Sequence, residues 1–441
     1  MLLAGLALAL FPMVPRALAQ EGGSARWIPQ VLGTQLTAIG QRLGSFDAPY
    51  SGPMSLVSGG DHSFSHTYGL YLGAPLTTRL AGYLDVEMAR GAGISHASGL
   101  AGVTNGDVLR QGTAELGNGP YVARAYLRYT QSLGVESDSA ARGIGQLAAR
   151  VPRRRIELTV GKFAASDLFD VNRYANSTRT QFLNWGLFQN TAWDFAADTR
   201  GYTNGVAIAW TTPAMSLRVG SFQMPRQANG NVFDSDLRRA RGDNVELTLA
   251  ALPGGATARL LAWQNHARMG DYRAALARAQ AAGMPPDIVA DDAPGRRKRG
   301  IGLNLEQPLA DSGETGVFAR VGAIDGTTES FAFTEVEGHV SAGAQLAGSH
   351  WGRAADRAGV ALLRHRINDA HRAYLAAGGV GFLLGDGALR YGPENFLEGY
   401  YRAQLGTFLQ VGPDVQYVRN PGYNRDRGPA VITTLRANLR Y

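Results

Sequence analysis

The chain has 441 residues, no cysteine, 57 glycines and a formal net charge of +7. A basic chain first suggests nucleic acid, but the arginines are scattered singly rather than collected in one stripe, so we expect no nucleic-acid partner. Because no disulfide can form, a large regular structure must stabilise the fold.

The first residues read "MLLAGLALALFPMVPRALAQ", a short apolar stretch that runs into Ala17, Leu18 and Ala19. A small residue at each end of such a triplet is typical of the cleavage site of an export signal. We therefore predict that residues 1–19 are removed on export and that residues 20–441 form a single domain. No later apolar run is long enough to predict a transmembrane helix.

The first clear alternation of apolar and polar residues is "LTTRLAGYLDVEM", residues 76–88. Arg79, Asp85 and Glu87 lie between the apolar and small residues that take every second position. Side chains of a β strand point to its two faces in turn, so this period of two predicts a strand with one apolar and one polar face.

The next alternation is "YVARAYLRYT", residues 121–130. The period assigns Tyr121 and Ala123 to the apolar face, and Arg124 and Arg128 to the polar face. Later segments with the same period occupy residues 214–222, 244–252, 335–346 and 431–441.

The connections between these segments alternate in length. Short breaks occupy residues 73–75, 211–213, 253–255 and 310–314, whereas polar stretches occupy about 40–64, 90–119, 164–202, 223–243 and 266–298. This rhythm predicts an all-β fold: a transmembrane antiparallel β-barrel of about sixteen strands, with short periplasmic turns and long extracellular loops. A soluble β-sandwich or propeller also alternates, but no internal repeat of a propeller is present.

One connection, residues 132–154, does not fit the rhythm, because it should be a short turn and has more than twenty residues. Two explanations remain open from the sequence. Either this is an elaborated periplasmic connection, or the strand register is misassigned there.

The last residues, 431–441, form a strand that ends on Tyr441. A barrel in a membrane leaves no strand edge unpaired, so we expect this strand to close the ring. We also expect the outer-membrane assembly machinery to recognise it through Tyr441. The outer face of the barrel is expected to contact outer-membrane lipid and lipopolysaccharide.

Residues 160–205 read "VGKFAASDLFDVNRYANSTRTQFLNWGLFQNTAWDFAADTRGYTNG". This stretch, together with "PYVARAYLRYT", "YGPENFLEGYYRAQL" and "VQYVRNPGYNRDRGP", resembles the carbohydrate-selective porin (OprB) family. The resemblance covers most of the mature chain. It implies a sixteen-stranded outer-membrane barrel, an inward-folded constriction loop at residues 164–202, and sugar uptake.

The chemistry of sugars suggests which side chains line such a pore. Sugar rims carry hydroxyls that pair with arginine donors and carboxylate acceptors, while aromatic rings suit the C–H faces. The candidate pore-lining residues are Arg79, Asp85, Glu87, Arg124, Arg128, Arg179, Asn184, Trp185, Trp193, Asp194, Asp198 and Arg200.

We expect passive, selective diffusion of small neutral sugars, such as monosaccharides, into the periplasm. The alternatives are a general or anion-preferring diffusion porin, an exopolysaccharide-associated barrel, or a barrel enzyme that uses Asp61, His62 and His66 or the Asp194 and Asp198 pair. The chain has no G-x-S-x-G or H-E-x-x-H motif, so no enzyme is expected. No cofactor or metal is expected either, because the loop acids match no calcium-loop spacing.

Overall fold

Eighteen strands and three α-helices make up the computed structural model, which describes residues 28–108, 116–332 and 335–441. The strands are β1 (Gln30–Leu43), β2 (Asp61–Pro75), β3 (Leu80–Gly91), β4 (Tyr121–Ser132), β5 (Ser137–Ala140), β6 (Ala149–Pro152), β7 (Arg155–Phe163), β8 (Thr203–Thr211), β9 (Met215–Gln223), β10 (Arg241–Leu249), β11 (Thr257–Met269), β12 (Ala293–Ala310), β13 (Thr315–Ile324), β14 (Gly338–Ala347), β15 (Arg357–Arg366), β16 (Glu394–Leu405), β17 (Leu409–Arg419) and β18 (Ala430–Arg440). The helices are α1 (Trp185–Phe188), α2 (Tyr272–Ala282) and α3 (Asp369–Ala376). The predicted signal segment, residues 1–19, lies outside the described residues.

Sixteen of these strands form a closed antiparallel barrel. Each strand pairs with the next one in the chain, except that β4 pairs with β7. Strands β5 and β6 pair only with each other. The ring is closed by β18, which pairs with β1 from Leu43 opposite Ile432 to Gln35 opposite Arg440. The predicted all-β, sixteen-stranded closed barrel is therefore confirmed.

The outer wall of the barrel is apolar and its interior is polar. Leu362 and Leu435 point outward and are 62% and 61% exposed, whereas His365, on the same strand as Leu362, and Arg436, next to Leu435, point inward and are buried. A soluble sheet places its apolar face in a core; an apolar outer band with a polar lumen is the arrangement of a membrane barrel. No helix in the described ranges is long and apolar enough to cross a membrane.

One face assignment from the sequence is wrong. Asp85 is opposite Arg124, but the next residue, Val86, is opposite Val122, so Ala123 is an extra residue in β4. This β-bulge reverses the alternation on its N-terminal side. Val122 is therefore 43% exposed on the outer wall, while Ala123 is buried and Tyr121 points inward.

The two ends of the barrel differ in their connections. The short-turn end carries residues 76–79, 212–214, 250–256, 311–314, 348–356 and 406–408, and the long-loop end carries 44–60, 92–120, 164–202, 224–240, 270–292, 325–337, 367–393 and 420–429. Most of the predicted inward-folded loop, residues 164–202, is buried inside the barrel, while Asp167, Arg173 and Asn176 are exposed.

Residues 133–154, which hold β5 and β6, are the exception at the short-turn end; we call them the β5–β6 hairpin. Strands β4 and β7 stay in regular register up to the pair of Ser132 and Arg155. Leu133 N also donates to Arg154 O at 2.8 Å. The connection is therefore an elaborated turn, and the strand register is correct on both sides of it.

A small apolar cluster covers part of the long-loop end. Helices α2 and α3 pack together through Tyr272, Tyr374 and Leu375. Between them, His371 Nδ1 lies 2.8 Å from Glu337 and its Nε2 lies 3.2 Å from Glu335. We call this assembly the cap; it joins loops that arise from β11 to β18.

Candidate functional site

The inward loop, residues 164–202, fills one half of the barrel interior. Trp193 Nε1 donates to Asn244 on β10 at 2.9 Å, and Lys298 Nζ on β12 donates to Asp194 at 2.8 Å. On the far side, Glu398 on β16 accepts from the backbone N–H of Asn184 at 3.0 Å. These contacts attach the loop to strands more than fifty residues away in the chain.

The charged groups in this filled half pair with the loop rather than with solvent. Arg320 on β13 is 0% exposed; its Nε lies 3.1 Å from Asp170 Oδ2, and it donates to the carbonyl oxygens of Leu187 and Ala175, both at 2.8 Å. A buried charge is stable only when its partners replace water. These donations supply hydrogen-bond partners to two buried loop carbonyls.

The other half of the interior holds an open cavity of about 680 Å³ along β1 to β4 and β7. At the long-loop end it begins near Leu116 and Gly117, and at the short-turn end it reaches Ile144 and Arg440. Its size falls in the range of roughly 300–1,000 Å³ that is typical of small-molecule sites.

Two arginines and four acids meet in the middle of this cavity. We call them the central charge cluster: Asp85, Glu87, Asp107, Arg124, Asp167 and Arg179. Arg124 Nη2 lies 2.6 Å from Asp167 and its Nη1 lies 3.4 Å from Asp85. Arg179 Nε lies 2.6 Å from Asp107, and its Nη2 lies 3.7 Å from Glu87.

Arg179 belongs to the inward loop and holds it against the open wall. Burial by itself would lower the pKa of its guanidinium, but Asp107, Tyr71 and Glu87 raise the pKa above its ordinary value. Arg179 therefore stays charged and presents donors to both the acids and the cavity.

Three tyrosines surround the buried carboxylate of Glu87. Tyr202 donates its hydroxyl to Glu87 at 2.6 Å, and Tyr71 and Tyr121 donate at 3.2 and 3.3 Å. Arg179 Nη1 in turn donates to the Tyr71 hydroxyl at 2.9 Å. Glu87 thus fixes the phenol groups that border the cluster.

The inward loop presents an aromatic surface to the same cavity. Trp185, Phe188 and Phe195 all line it. The rings of Trp185 and Phe188 lie 4.8 Å apart between centroids, and Phe195 stacks with Trp185 at 6.3 Å and 12°. The cavity therefore has donors and acceptors on the barrel wall and ring faces on the loop.

Seven of the twelve candidate residues border this cavity: Asp85, Glu87, Arg124, Arg128, Arg179, Trp185 and Arg200. Asn184, Trp193, Asp194 and Asp198 do not border it. Their contacts attach or shape the loop; Asn184 caps α1 and Asp198 accepts from the backbone N–H groups of Arg200 and Tyr202.

The twelfth candidate, Arg79, precedes β3 in the short turn 76–79 and donates to Gln131 at 3.1 Å, away from the cavity. Sequence reasoning missed Tyr71, Asp107 and Tyr202, which all border the cavity. The alternation of β2 could have identified Tyr71 as inward-pointing. Asp107 lies in a loop without any period, so no sequence signal was available for it.

Three of the acids considered for metal binding or catalysis have other partners. Asp170 pairs with Arg320, Asp194 with Lys298, and Asp61 accepts from the backbone N–H of Ser95 at 2.7 Å. Within residues 28–108, 116–332 and 335–441, no group of three or more histidine, aspartate or glutamate side chains is placed to hold a metal ion.

The family model for the carbohydrate-selective porin, OprB family, matches residues 79–441. No curated protein matches the chain. The solved high-pH structure of Pseudomonas putida OprB is similar over 93% of this chain and 94% of its own, with 16% identity and a TM-score of 0.67. The outer membrane channel DcaP of Acinetobacter baumannii is similar over 96% and 100%, with 10% identity and a TM-score of 0.50. At these identities the structural matches indicate a shared fold.

Proposed function

We propose how this chain selects its solutes, starting from the fact that it belongs to the carbohydrate-selective porin family, OprB. It is a sugar-selective channel of the bacterial outer membrane and not an enzyme. In such barrels the short turns face the periplasm and the long loops face outward. The cavity between β1–β4, β7 and the inward loop is then the path for sugars.

The observation that carries this proposal is the pairing of a polar wall with an aromatic one across the cavity. Arg124 and Arg179 offer planar donors, and Asp85 and Asp167 offer acceptors, within reach of one solute. A neutral polyhydroxylated molecule uses donors and acceptors together, whereas an anion uses the arginines alone. Trp185 on the loop suits the C–H face of a sugar ring.

The charges of the cavity support a neutral solute. Five arginines border the cavity, Arg124, Arg128, Arg179, Arg200 and Arg440, together with four acids, Asp85, Glu87, Asp107 and Asp167, so the two signs nearly balance over its whole length. We therefore propose that small neutral sugars, such as monosaccharides, diffuse passively along the path. The inward loop narrows this path and acts as its constriction.

Two further partners belong to the same proposal. The apolar outer wall suits contact with outer-membrane lipid and lipopolysaccharide. Tyr441 exchanges backbone hydrogen bonds with Thr34 at 3.0 Å in both directions, and the residue remains 54% exposed. This exposed aromatic at the seam of the ring suits recognition by the assembly machinery. Cleavage of residues 1–19 on export remains part of the proposal.

Liposome swelling tests the selectivity. A monosaccharide should enter faster than an uncharged non-sugar of equal size, and organic acids should enter more slowly than the sugar. Arg124→Ala should remove much of the sugar advantage, because a hydrogen bond to a charged group contributes roughly 1.5–3 kcal/mol. Arg238→Ala, at an exposed loop arginine, is the matched control.

If wild-type protein sorts these solutes by size alone, the channel does not select sugars through this cluster. Faster entry of the acids than of the sugar would instead indicate an anion-preferring porin. In both cases heat-dependent gel mobility verifies that the variants are folded barrels.

A further inference from the structure

The β5–β6 hairpin, residues 133–154, occupies the position of a short periplasmic turn. It closes on itself through the antiparallel pairs from Ser137 opposite Pro152 to Ala140 opposite Ala149. Beyond these pairs, Gly143 and Gln146 exchange backbone hydrogen bonds of 3.0 and 2.9 Å, which close a tight turn. We call residues 143–147 the tip. A plain turn needs none of this structure.

The tip folds back into the mouth of the barrel. Leu147 is only 7% exposed and belongs to the same buried cluster as Leu32 and Tyr83. A Cβ placed on Gly73, an inner-wall position of β2, would lie 3.3 Å from Leu147 Cγ. A Cβ on Gly33 of β1 would lie 3.1 Å from Ile144 Cγ1. The two glycines therefore make room for the tip.

The tip also borders the cavity that carries the proposed sugar path. Ile144 and Gly145 line this cavity at the short-turn end, together with Arg128 and Arg440. Arg128 Nη1 lies 3.5 Å from Gly145 O. The cavity is thus bounded in its middle by the central charge cluster and at its periplasmic end by the tip.

The charges differ between these two places. In the central charge cluster every arginine has a carboxylate partner. Arg128 and Arg440 at the periplasmic end have no carboxylate within salt-bridge distance among the residues that the structure describes, and Arg128 instead stacks 5.0 Å above the Tyr83 ring. The end of the path therefore has an excess of positive charge.

We propose that the β5–β6 hairpin forms a second restriction of the channel, at its exit, whose unpaired arginines favour small anions. This inference rests on the proposed function in taking the cavity as the permeation path. Two restrictions in series add their resistances, so the exit contributes to the conductance whatever solute the central cluster selects.

Conductance of single channels in potassium chloride tests the steric part. Replacing residues 135–152 by a two-residue Asn-Gly turn should raise the conductance, by roughly twofold for two restrictions of equal resistance. Ile144→Trp, which adds bulk at the tip without shortening the chain, should lower the conductance. Val135→Trp, at a fully exposed position of the same hairpin, is the matched control and should leave it unchanged.

The reversal potential in a salt gradient tests the charge. Arg440→Gln should reduce the preference for chloride over potassium, and Arg150→Gln should not, because Arg150 lies away from the cavity and donates to Ser137 at 2.9 Å. Folded variants are identified by their heat-dependent gel mobility.

Equal conductance of wild type, the shortened variant and Ile144→Trp would overturn the exit restriction. An unchanged reversal potential in Arg440→Gln would overturn its anion preference. Neither result depends on sugar, so loss of sugar selectivity in the swelling experiment and failure of the exit restriction are separate outcomes.

Discussion

The two halves of the barrel interior use the same residue types for different purposes. In the filled half, Arg320 and Lys298 are almost completely buried and pair with the inward loop. In the open half, the side chains of Arg124 and Arg179 are 20% and 21% exposed and border the cavity. The difference shows that exposure, rather than residue type, decides whether a lumen arginine holds the structure or meets the solute.

The physical reason is the cost of removing a charge from water. A fully buried guanidinium is stable only if all of its donors are taken by protein acceptors, so none remains for a solute. A partly exposed guanidinium keeps contact with water and exchanges that water for a hydroxyl during passage. The filled half is therefore a scaffold, and the open half is the selective surface.

The largest expected effect comes from breaking the filled half. Arg320→Ala leaves the Asp170 carboxylate and the Leu187 and Ala175 carbonyls buried without these donors. Removal of one partner from a buried pair costs about 3–5 kcal/mol, so the inward loop should loosen. We expect noisier and larger single-channel conductance and a lower temperature of the gel-mobility shift. A stable channel of wild-type conductance would contradict the scaffold role.

A smaller effect, on selectivity rather than stability, should follow from Glu87→Gln in the open half. It removes one buried negative charge that borders the cavity, and an ion that passes this charge at close range through water interacts with it by on the order of 1 kcal/mol. The chloride-to-potassium permeability ratio should then rise roughly fivefold. Glu398→Gln makes the same change in the filled half, away from the cavity, and should shift the reversal potential much less. Equal shifts would remove the distinction between the halves.

The smallest effect concerns the cap above the filled half. Burial would lower the pKa of His371, but Glu337 and Glu335 raise it to about 9, and Tyr272 stacks on its ring at 4.3 Å. An unfolded histidine has a pKa of about 6.5, so this stabilisation is complete below pH 6.5 and is lost as the pH rises through about 9. Hydrogen exchange of residues 367–393, corrected for its intrinsic pH dependence, should show weaker protection at pH 9.5 than at pH 6.

In His371→Gln the cap should be less protected at pH 6 and nearly independent of pH. The barrel strands serve as the internal reference, because their backbone hydrogen bonds do not involve His371. Equal protection of the wild-type cap at both pH values would exclude His371 as its charged link.

Much of the barrel could be predicted, because a period of two is a local property of the chain. Leu435 and its alternating neighbours in β18 face outward as their pattern indicates. The pattern failed where one residue was added: Ala123 bulges out of register and turns Tyr121 inward, and nothing in "YVARAYLRYT" marks the bulge. Its position depends on the pairing with β3, which is a property of two strands.

The candidate site was predictable only in part. Asp85 and Asp194 are both inward-pointing acids near aromatic residues, and their sequence surroundings do not separate them. Lys298, which is 104 positions further along the chain, binds Asp194 away from the cavity, whereas the partner of Asp85 is Arg124, which itself borders the cavity. Arg179 and Asp107 likewise meet across 72 positions.

The sequence by itself determined that strands alternate between an apolar and a polar face, that connections alternate in length, and that the chain resembles a sugar-selective porin. These features are local, since each follows from neighbouring side chains and the solvent on either side of one strand. Only the tertiary structure decided which half of the lumen the inward loop fills, which arginines keep contact with water, and where the β5–β6 hairpin places its tip. Those outcomes depend on pairing between residues far apart in the chain, because burying a charge or a loop carbonyl is favourable only where a distant partner replaces its water.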